Sequence, residues 1–415
     1  ARRALTFLER LAEVDGDRLG VYGHSMGGKL TVMAAGTDDR IKAAAPPCGG
    51  ISDRDGDDAP SRTAIRDNAY LQRVCCPIIF LSPANDFHGR IDDLPAAVDE
   101  IQTADWRITT SAHHNHQDTA EYEVATQLWL DQHLKGTFAF PQTPQTELAL
   151  TTTDGIPSIA ITPDTSKPIL DIDVYYTQQG QMNGQPDDRD NTMNRFWHHA
   201  ATTRQDDVWT AALPVSNTEK PLWVYANVVY PLATPVTGAG YYYRSYTATK
   251  FNLSSLVHLV SAGKLRAAGV AAMPKPSPMI ETFTGTWEKE WFAYHPGEWP
   301  RTTHKVYDPQ WAAPEGAKLA LEVRCEQPNK LVVGLDDYAA EIALKGGPEW
   351  QYVVLSGADF CNAAGEAMED WTAIRTLRLG PRERWQQPID GEPIVVELGA
   401  EWQGADPAFR NLQWK

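Results

Sequence analysis

A serine between glycines is the part of this 415-residue sequence best suited to chemistry. It occurs in Gly23-His24-Ser25-Met26-Gly27, after a short apolar segment and before a second one that ends at Gly36. A strand that enters such a turn and leaves it as a helix raises the serine hydroxyl above a sheet, where it can act as a nucleophile. Gly23 and Gly27 are expected to let neighbouring backbones approach without a Cβ between them. The pattern predicts a nucleophile elbow, with an ordinary glycine-rich turn as the alternative.

A serine hydroxyl needs a base to take its proton and an acid to orient that base. With an elbow of this kind the acid and the histidine follow in that order, each at the carboxyl end of a strand. Asp86 directly follows an apolar segment, residues 77–81, and His113-His114-Asn115-His116 follows the next one, residues 106–110. Asp92 is a rival acid, but it lies further from the strand and is expected to cap the next helix. The spacing alone leaves all three histidines open as the base.

Strands and helices alternate over the first 137 residues, which predicts an α/β unit with a parallel sheet. The predicted helices are residues 1–13, 29–35, 67–74, 94–103 and 119–134, and the predicted strands are residues 18–22, 41–45, 77–81 and 106–110.

The chain changes character after a proline-containing linker at residues 138–146. Short apolar and alternating segments follow, and they predict one or two all-β sandwich or jelly-roll domains, residues 147–270 and 279–415. The predicted strands are residues 169–176, 222–230, 319–325, 330–335, 350–355, 372–379 and 393–398. Residues 253–269 are predicted to be a helix between the two modules.

Composition limits the partners. The net charge of −17 argues against nucleic acid and an anionic membrane surface, and no apolar run reaches the roughly 18 residues that span a bilayer. Five cysteines exclude a disulfide scaffold, although a Cys325–Cys361 bridge stays open. His114-x-His116-x-Asp118 resembles the start of a zinc motif, but Thr119 stands where another histidine would continue it. No metal and no cofactor are therefore predicted.

Residues 1–136 resemble the dienelactone hydrolase and acetylxylan-esterase-like branch of the α/β-hydrolase superfamily. The resemblance rests on VDGDRLGVYGHSMGG, DDRIKAAAPPCGG, CPIIFLSPANDFHGRIDD and the HHNHQ turn followed by LWLDQHLKG. It implies that Ser25 is the nucleophile, Asp86 the triad acid and His116 the base, with His114 and then His113 as alternatives. It also implies that the backbone amide of Met26 is an oxyanion donor.

Two further histidines flank these positions. His24 is expected to face away from the reacting groups as a packing residue, and His88 is expected to be a solvated loop residue near Asp86. The resemblance also implies strands before the elbow and a second oxyanion donor, whereas this sequence begins in the helix just before the elbow strand. We therefore expect a piece of a longer protein or a fold completed in another way.

The later modules resemble a small β-sandwich and a carbohydrate-binding type of jelly roll. Trp350, Trp371 and Trp385 are candidates for a glycan platform, although filling the core is the preferred role for such rings. Asp187-Asp188 and Asp336-Asp337 are candidate calcium ligands, with solvated acidic loops as the commoner alternative.

The prediction for function is a serine carboxylic-ester hydrolase that works through an acyl-enzyme on a small-molecule or acylated polysaccharide ester. The alternatives are a serine peptidase of the prolyl-oligopeptidase kind and a non-catalytic glycan-binding protein with a degenerate hydrolase domain. The sequence leaves the oligomeric state open, and a secreted or periplasmic location is the working hypothesis.

Overall fold

The chain forms two compact units in a computed structural model, one of residues 1–193 and 197–272 and one of residues 194–196 and 273–415. The structure describes residues 2–54, 59–117, 119–180, 189–239, 245–295, 297–369, 371–372, 374–389 and 392–415. In these residues no helix is long and apolar enough to cross a membrane.

The first unit begins with the predicted α/β arrangement. Its elements are α1 (Arg2–Leu8), β1 (Leu19–Tyr22), α2 (Met26–Ala35), β2 (Ile41–Ala45), α3 (Ala59–Ala64), α4 (Asp67–Leu71), β3 (Ile78–Leu81), α5 (Leu94–Glu100), β4 (Trp106–Thr109) and α6 (Ala120–Leu130). The four strands form one sheet in the order β1-β2-β3-β4, and every neighbouring pair is parallel. All four residues of β3 are buried, as expected of a parallel strand covered on both faces. The predicted α/β fold class with a parallel sheet is thus confirmed for this part.

Antiparallel strands complete the first unit. They are β5 (Gln145–Ala149), β6 (Ser158–Thr162), β7 (Asp171–Thr177), β8 (His198–Ala200), β9 (Thr203–Gln205), β10 (Val208–Ala212), β11 (Leu222–Ala239), β12 (Ser245–Ser254) and β13 (His258–Val260), with helices α7 (Arg189–Asn194) and α8 (Ala262–Ala267). One sheet has the order β5-β6-β10-β9, and the other has the order β12-β11-β7-β8 with β13 also paired to β11. Apolar side chains of β11 and β12 share one core cluster with those of α6 and β3, so this part packs on the α/β part.

The predicted helix at residues 253–269 is wrong over most of its length. Leu253 still belongs to β12, where it pairs with Val228, and β13 pairs with the first residues of β11. The helix α8 begins only after Ser261, whose hydroxyl accepts a hydrogen bond from the amide of Lys264. The apolar residues before that cap complete a buried sheet, and short apolar runs do not distinguish a strand from a helix.

The second unit is built from antiparallel strands. They are β14 (Met279–Glu281), β15 (Arg301–Thr303), β16 (Leu319–Arg324), β17 (Asn329–Leu335), β18 (Tyr338–Leu344), β19 (Gln351–Leu355), β20 (Leu377–Gly380), β21 (Arg382–Ile389), β22 (Glu392–Gly399) and β23 (Ala408–Trp414). Two four-stranded sheets have the orders β14-β23-β16-β19 and β15-β20-β17-β18, and β21 pairs with β22. Both four-stranded sheets contribute side chains to one core cluster.

Tryptophans of the second unit mostly serve packing. The half-buried Trp371 packs against the core beside Phe360 and Trp414, and its indole N–H donates to a backbone carbonyl. The ring of Trp350 lies under the guanidinium groups of Arg324 and Arg410, at 4.9 and 4.3 Å from its centroid. Neither presents a bare platform.

The cysteines and the two aspartate pairs are the remaining candidate ligands or crosslinks. All five cysteines are free thiols. The Asp336 carboxylate accepts hydrogen bonds from the backbone amides of Arg375 and Thr376. Burial raises the pKa of Asp336 in spite of these bonds. Asp187 and Asp188 lie outside the described residues.

Candidate active site

Ser25 occupies the turn between β1 and α2 in a conformation that few non-glycine residues adopt. Its φ is 62° and its ψ is −118°, and such strain persists only where the surroundings hold it. The Ser25 amide donates to the carbonyl of Pro47 at 3.0 Å, and its carbonyl accepts from the amide of Lys29 at 3.1 Å. The backbone therefore has the geometry of a nucleophile elbow.

The glycines around Ser25 differ in what they do. A Cβ on Gly23 would lie 2.8 Å from the carbonyl oxygen of Gly27, and one on Gly28 would lie 2.6 Å from that of Pro47. A Cβ on Gly27 would meet nothing within 4 Å. The expectation that Gly27 itself must lack a side chain is therefore wrong, and Gly28 is the second glycine that close packing requires.

Asp86 follows β3 and is buried, with 1% of its surface exposed. One carboxylate oxygen accepts hydrogen bonds from the amides of His88 at 2.7 Å and Gly89 at 3.0 Å and from Nδ1 of His116 at 2.9 Å. Burial by itself raises the pKa of the Asp86 carboxyl. The hydrogen bond and electrostatic interaction with His116, together with a hydrogen bond from the Cys48 thiol, lower this pKa more, so the net shift is downward.

Cys48 belongs to no motif that would single it out in the sequence. It follows β2, the strand between β1 and β3, has a φ of 55°, and is fully buried. Its amide donates to the carbonyl of Leu81 at 2.9 Å, which holds the thiol beside Asp86. Its position at the carboxyl end of a central strand was the one available signal.

His116 lies between the other two side chains. Its Nδ1 is 2.9 Å from Asp86 Oδ1, and its Nε2 is 2.6 Å from Ser25 Oγ. Since the carboxylate can only accept, Nδ1 carries the proton and Nε2 accepts from the serine hydroxyl. His114 instead donates from Nδ1 to the carbonyl of Ala112 at 2.9 Å. His113 is buried at a φ of 64° and packs edge-on against Tyr175.

Aromatic rings surround the His116 imidazole. Ring centroids of His24, Phe87 and His88 lie 5.1, 4.7 and 5.5 Å from that of His116. His24 therefore does not face away as expected. Burial, followed by the neighbouring His116, lowers the pKa of His24 to about 4. His88 is tied by Nδ1 to the carbonyl of Cys48 at 3.0 Å instead of being a loosely solvated residue.

The antiparallel part of the first unit contacts the loop that carries Asp86. The fully buried Asn85 precedes Asp86, and its side-chain oxygen accepts from the indole N–H of Trp197 at 2.8 Å. Its side-chain amide donates to the carbonyl of His113 at 3.2 Å, so this bond joins the loop that carries Asp86 to the loop that carries His116.

A second set of polar contacts holds the end of β4, the strand that precedes the loop carrying His116. The Thr109 hydroxyl lies 2.9 Å from Oδ1 of Asn252, and the Thr110 amide donates to the hydroxyl of Ser254 at 2.8 Å. The side-chain amide of Asn227 donates to the Thr110 carbonyl at 3.0 Å. These contacts are buried, so each costs free energy if it is lost.

Two other features of the site bear on its chemistry. Met26 is the first residue of α2, so its amide has no carbonyl one turn earlier in the helix to bond with. Cys48, Asp86 and His116 present ligand atoms within 4.8 Å of one another, the one group in the described part of the chain that could hold a metal ion. Hydrogen bonds already join all three, because Asp86 accepts from both His116 and Cys48.

A strained serine, a buried carboxylate and an imidazole thus meet at the carboxyl edge of a parallel sheet. Residues 1–118 match the dienelactone hydrolase family. The resemblance expected from the sequence is confirmed for this part of the chain, and the family match supports a hydrolase. No curated protein matches the chain.

Several solved structures are similar to part of the chain. The 2,6-dihydroxy-pseudo-oxynicotine hydrolase is 16% identical, with a TM-score of 0.29 over 34% of this chain and 47% of that one. An acetyl xylan esterase from a Paenibacillus species is 21% identical, with a TM-score of 0.26 over 32% of this chain and 50% of that one. Acetyl xylan esterase 1 from a Thermoanaerobacterium species is 19% identical, with a TM-score of 0.27 over 31% and 50%. The chain spans about half the length of these structures.

Proposed function

We propose that this protein is a serine carboxylic-ester hydrolase that works through an acyl-enzyme. The observation that carries the proposal is the continuous hydrogen-bonded chain from Ser25 Oγ through His116 to Asp86. Serine, imidazole and carboxylate in this order are what a serine nucleophile requires.

In the first half of the reaction His116 Nε2 takes the hydroxyl proton while Ser25 Oγ bonds to the ester carbonyl carbon. The resulting oxyanion accepts from the Met26 amide at the start of α2, where the helix dipole also favours negative charge. The tetrahedral intermediate then breaks its bond to the leaving alcohol, which receives the proton from His116. An acyl-serine remains.

In the second half, water attacks the acyl carbon as His116 takes one of its protons. The carbon–Oγ bond breaks, Ser25 regains its proton, and the acid is released. The sum is ester plus water giving acid plus alcohol.

The surroundings suit the positive charge that His116 gains in both halves. Asp86 is ionised at neutral pH because its pKa is lower than usual, so an anion lies against the imidazolium. His24 is uncharged at neutral pH because its pKa is about 4, so it adds no repulsion.

We further propose a carboxylic ester of a small molecule or of an acylated polysaccharide as the substrate, as the resemblance of residues 1–136 implies. For the chain as a whole we propose three modules, residues 1–137, 147–270 and 279–415, the last of them jelly-roll-like. The antiparallel sheets that share one core support the all-β nature of residues 279–415.

Covalent labelling of the full chain with a fluorophosphonate tests the nucleophile. We expect attachment at Ser25, no labelling of Ser25→Ala, and normal labelling of Ser166→Ala, which removes an exposed hydroxyl elsewhere. Labelling of Ser25→Ala at the native level, or no labelling of the native protein, would contradict the proposal and favour a non-catalytic role.

A substrate panel then separates ester from peptide cleavage. We expect turnover of p-nitrophenyl acetate or acetylated xylan and none of proline-containing peptides. Peptide cleavage that depends on Ser25 without ester turnover would favour the peptidase alternative.

A further inference from the structure

The second unit contains a cleft of about 260 Å³ that no step of the proposed reaction uses. Four half-buried aromatic residues line it: Phe283, Trp287, Trp299 and Phe409. Phe283 lies 5.0 Å from Trp287 and 5.5 Å from Phe409, and Trp299 lies 6.0 Å from Phe409, measured between ring centroids. The rings support one another and leave part of their surface to the cleft.

The loop that carries Phe283 is held in a strained conformation. Phe283 has a φ of 58°, which is rare for a bulky residue. The buried carboxylate of Glu281 accepts from the amides of Thr282 and Phe283 at 2.8 and 3.1 Å. Its other oxygen accepts from the ammonium of Lys305 at 2.7 Å. Strain that the surroundings impose in this way clusters at ligand sites.

Charged groups of both signs complete the lining. Glu288 and Asp406 are exposed carboxylates, and Arg301 is a half-buried guanidinium. The two carboxylates oppose an anionic ligand, and Arg301 opposes a cation within the aromatic rings. A purely apolar ligand would cover all three charges without replacing their bonds to water. A neutral ligand with many hydroxyls can donate to the carboxylates, accept from the guanidinium, and place a C–H face on a ring.

We propose that this cleft binds one sugar ring of a neutral polysaccharide. The volume is below the roughly 300–1,000 Å³ of sites for drug-sized ligands, which suits a single ring with its neighbours outside. Trp287 and Trp299 provide the apolar faces, and Asp406, Glu288 and Arg301 receive the hydroxyls. The proposal does not depend on the chemistry of Ser25.

Calorimetric titration of the full chain with xylohexaose and cellohexaose tests this binding. We expect saturable binding of at least one of them, with a change in tryptophan fluorescence. Oligogalacturonate and tetramethylammonium are the anionic and cationic comparisons and are expected to bind at least tenfold more weakly. Tighter binding of tetramethylammonium, or no binding of either neutral oligosaccharide, would overturn the proposal.

Variants locate the site. Asp406→Asn keeps the shape of an exposed side chain and is expected to weaken binding about tenfold, because hydrogen bonds to charged groups are the stronger ones. Trp287→Ala is expected to weaken it by at least as much. Trp350→Ala is the matched control, since guanidinium groups already cover that ring, and it is expected to bind as the native protein does.

Far-ultraviolet circular dichroism gives the folding readout for these variants. The spectra of all three are expected to match that of the native protein. Native affinity in both Asp406→Asn and Trp287→Ala, or its loss in Trp350→Ala alone, would overturn the assignment of the cleft.

Discussion

Replacing Asp86 by asparagine separates the charge of this residue from its geometry. One oxygen of the carboxylate accepts from two backbone amides and from Nδ1 of His116. The backbone amides can bond only to an oxygen, so they hold the asparagine amide with its oxygen toward His116. The imidazole then keeps its tautomer and its contact with Ser25, and the variant loses the negative charge alone.

The size of the loss follows from the charge that His116 gains in the proposed reaction. A unit charge about 4 Å away contributes about 4 kcal/mol at an effective dielectric constant of about 20, which is close to 10³-fold in rate. Asp86 is almost wholly buried, so salt screens the interaction little. We expect Asp86→Asn to lower kcat/KM about 10³-fold with the fold intact.

The assay is kcat/KM for an aryl acetate, with far-ultraviolet circular dichroism as a check of folding. Asp86→Ala is the matched variant: it leaves the amides of His88 and Gly89 without this acceptor and the imidazole unheld, so its loss is expected to be greater. An Asp86→Asn variant within tenfold of the native rate would refute the electrostatic reasoning. One as inactive as Asp86→Ala would refute the argument that the backbone amides fix the side-chain orientation.

Three further outcomes are expected. Gly23→Ala destabilises the protein by more than about 2 kcal/mol, because its Cβ would lie 2.8 Å from a backbone oxygen, whereas Gly27→Ala changes the free energy of unfolding by less than about 0.5 kcal/mol in urea titrations. The free energy of unfolding falls by up to about 3 kcal/mol as the pH falls from 6.5 to 4, because unfolded His24 binds a proton in this window and the native residue, with its pKa of about 4, does not; His24→Phe reduces this slope. Trp197→Phe removes the hydrogen bond to Asn85, lowers stability by about 1–3 kcal/mol and reduces kcat/KM, measured by urea titration and aryl acetate hydrolysis.

Each has an internal control. Equal losses in the two glycine variants would mean that the turn, not the close contact, sets the cost. An unchanged pH slope in His24→Phe would assign the loss between pH 6.5 and 4 to other groups. Asp86 is not among them, because a carboxyl with a lowered pKa loses its stabilising effect only below about pH 4. For the tryptophan, Trp209→Phe changes a half-buried ring of β10, and an equal loss of activity there would contradict a specific role for the Asn85 contact.

Strand ends were the strongest signal in the sequence. The predicted strands at residues 18–22, 41–45, 77–81 and 106–110 match β1 to β4 within one residue at each end. Strands buried on both faces are short apolar runs, and prolines, glycines and polar residues bound them here. Because the carboxyl ends of parallel strands share an edge, Ser25, Asp86 and the histidine turn could be placed together from the sequence.

Strand ends could not show which side chains contact one another when the contact depends on residues far away in the sequence. His113, His114 and His116 are equivalent in sequence, and the turn directs each to a different neighbour. Cys48 belongs to no motif, because its importance comes from a strand that lies beside β3 only in the fold. Residues 253–260 were predicted to be helical because the local pattern does not reveal that strands in this region pair with β11.

The same limit applies to the second unit. The sequence drew attention to tryptophans near strand ends, but Trp371 packs against the core and guanidinium groups cover Trp350. The cleft is formed by segments more than a hundred residues apart, near Phe283 and Phe409. Their proximity is visible only in the folded structure.

The buried polar contacts at the end of β4 make the arrangement of Ser25, His116 and Asp86 depend on the rest of its unit. Asn227 and Ser254, which bind Thr110, lie 117 and 144 residues further along the chain. A substitution at either position alters the platform from which the imidazole is presented, although neither would be recognised as belonging to a hydrolase motif. Grafting the serine, aspartate and histidine segments onto another scaffold would therefore transfer the three side chains without the contacts that align them.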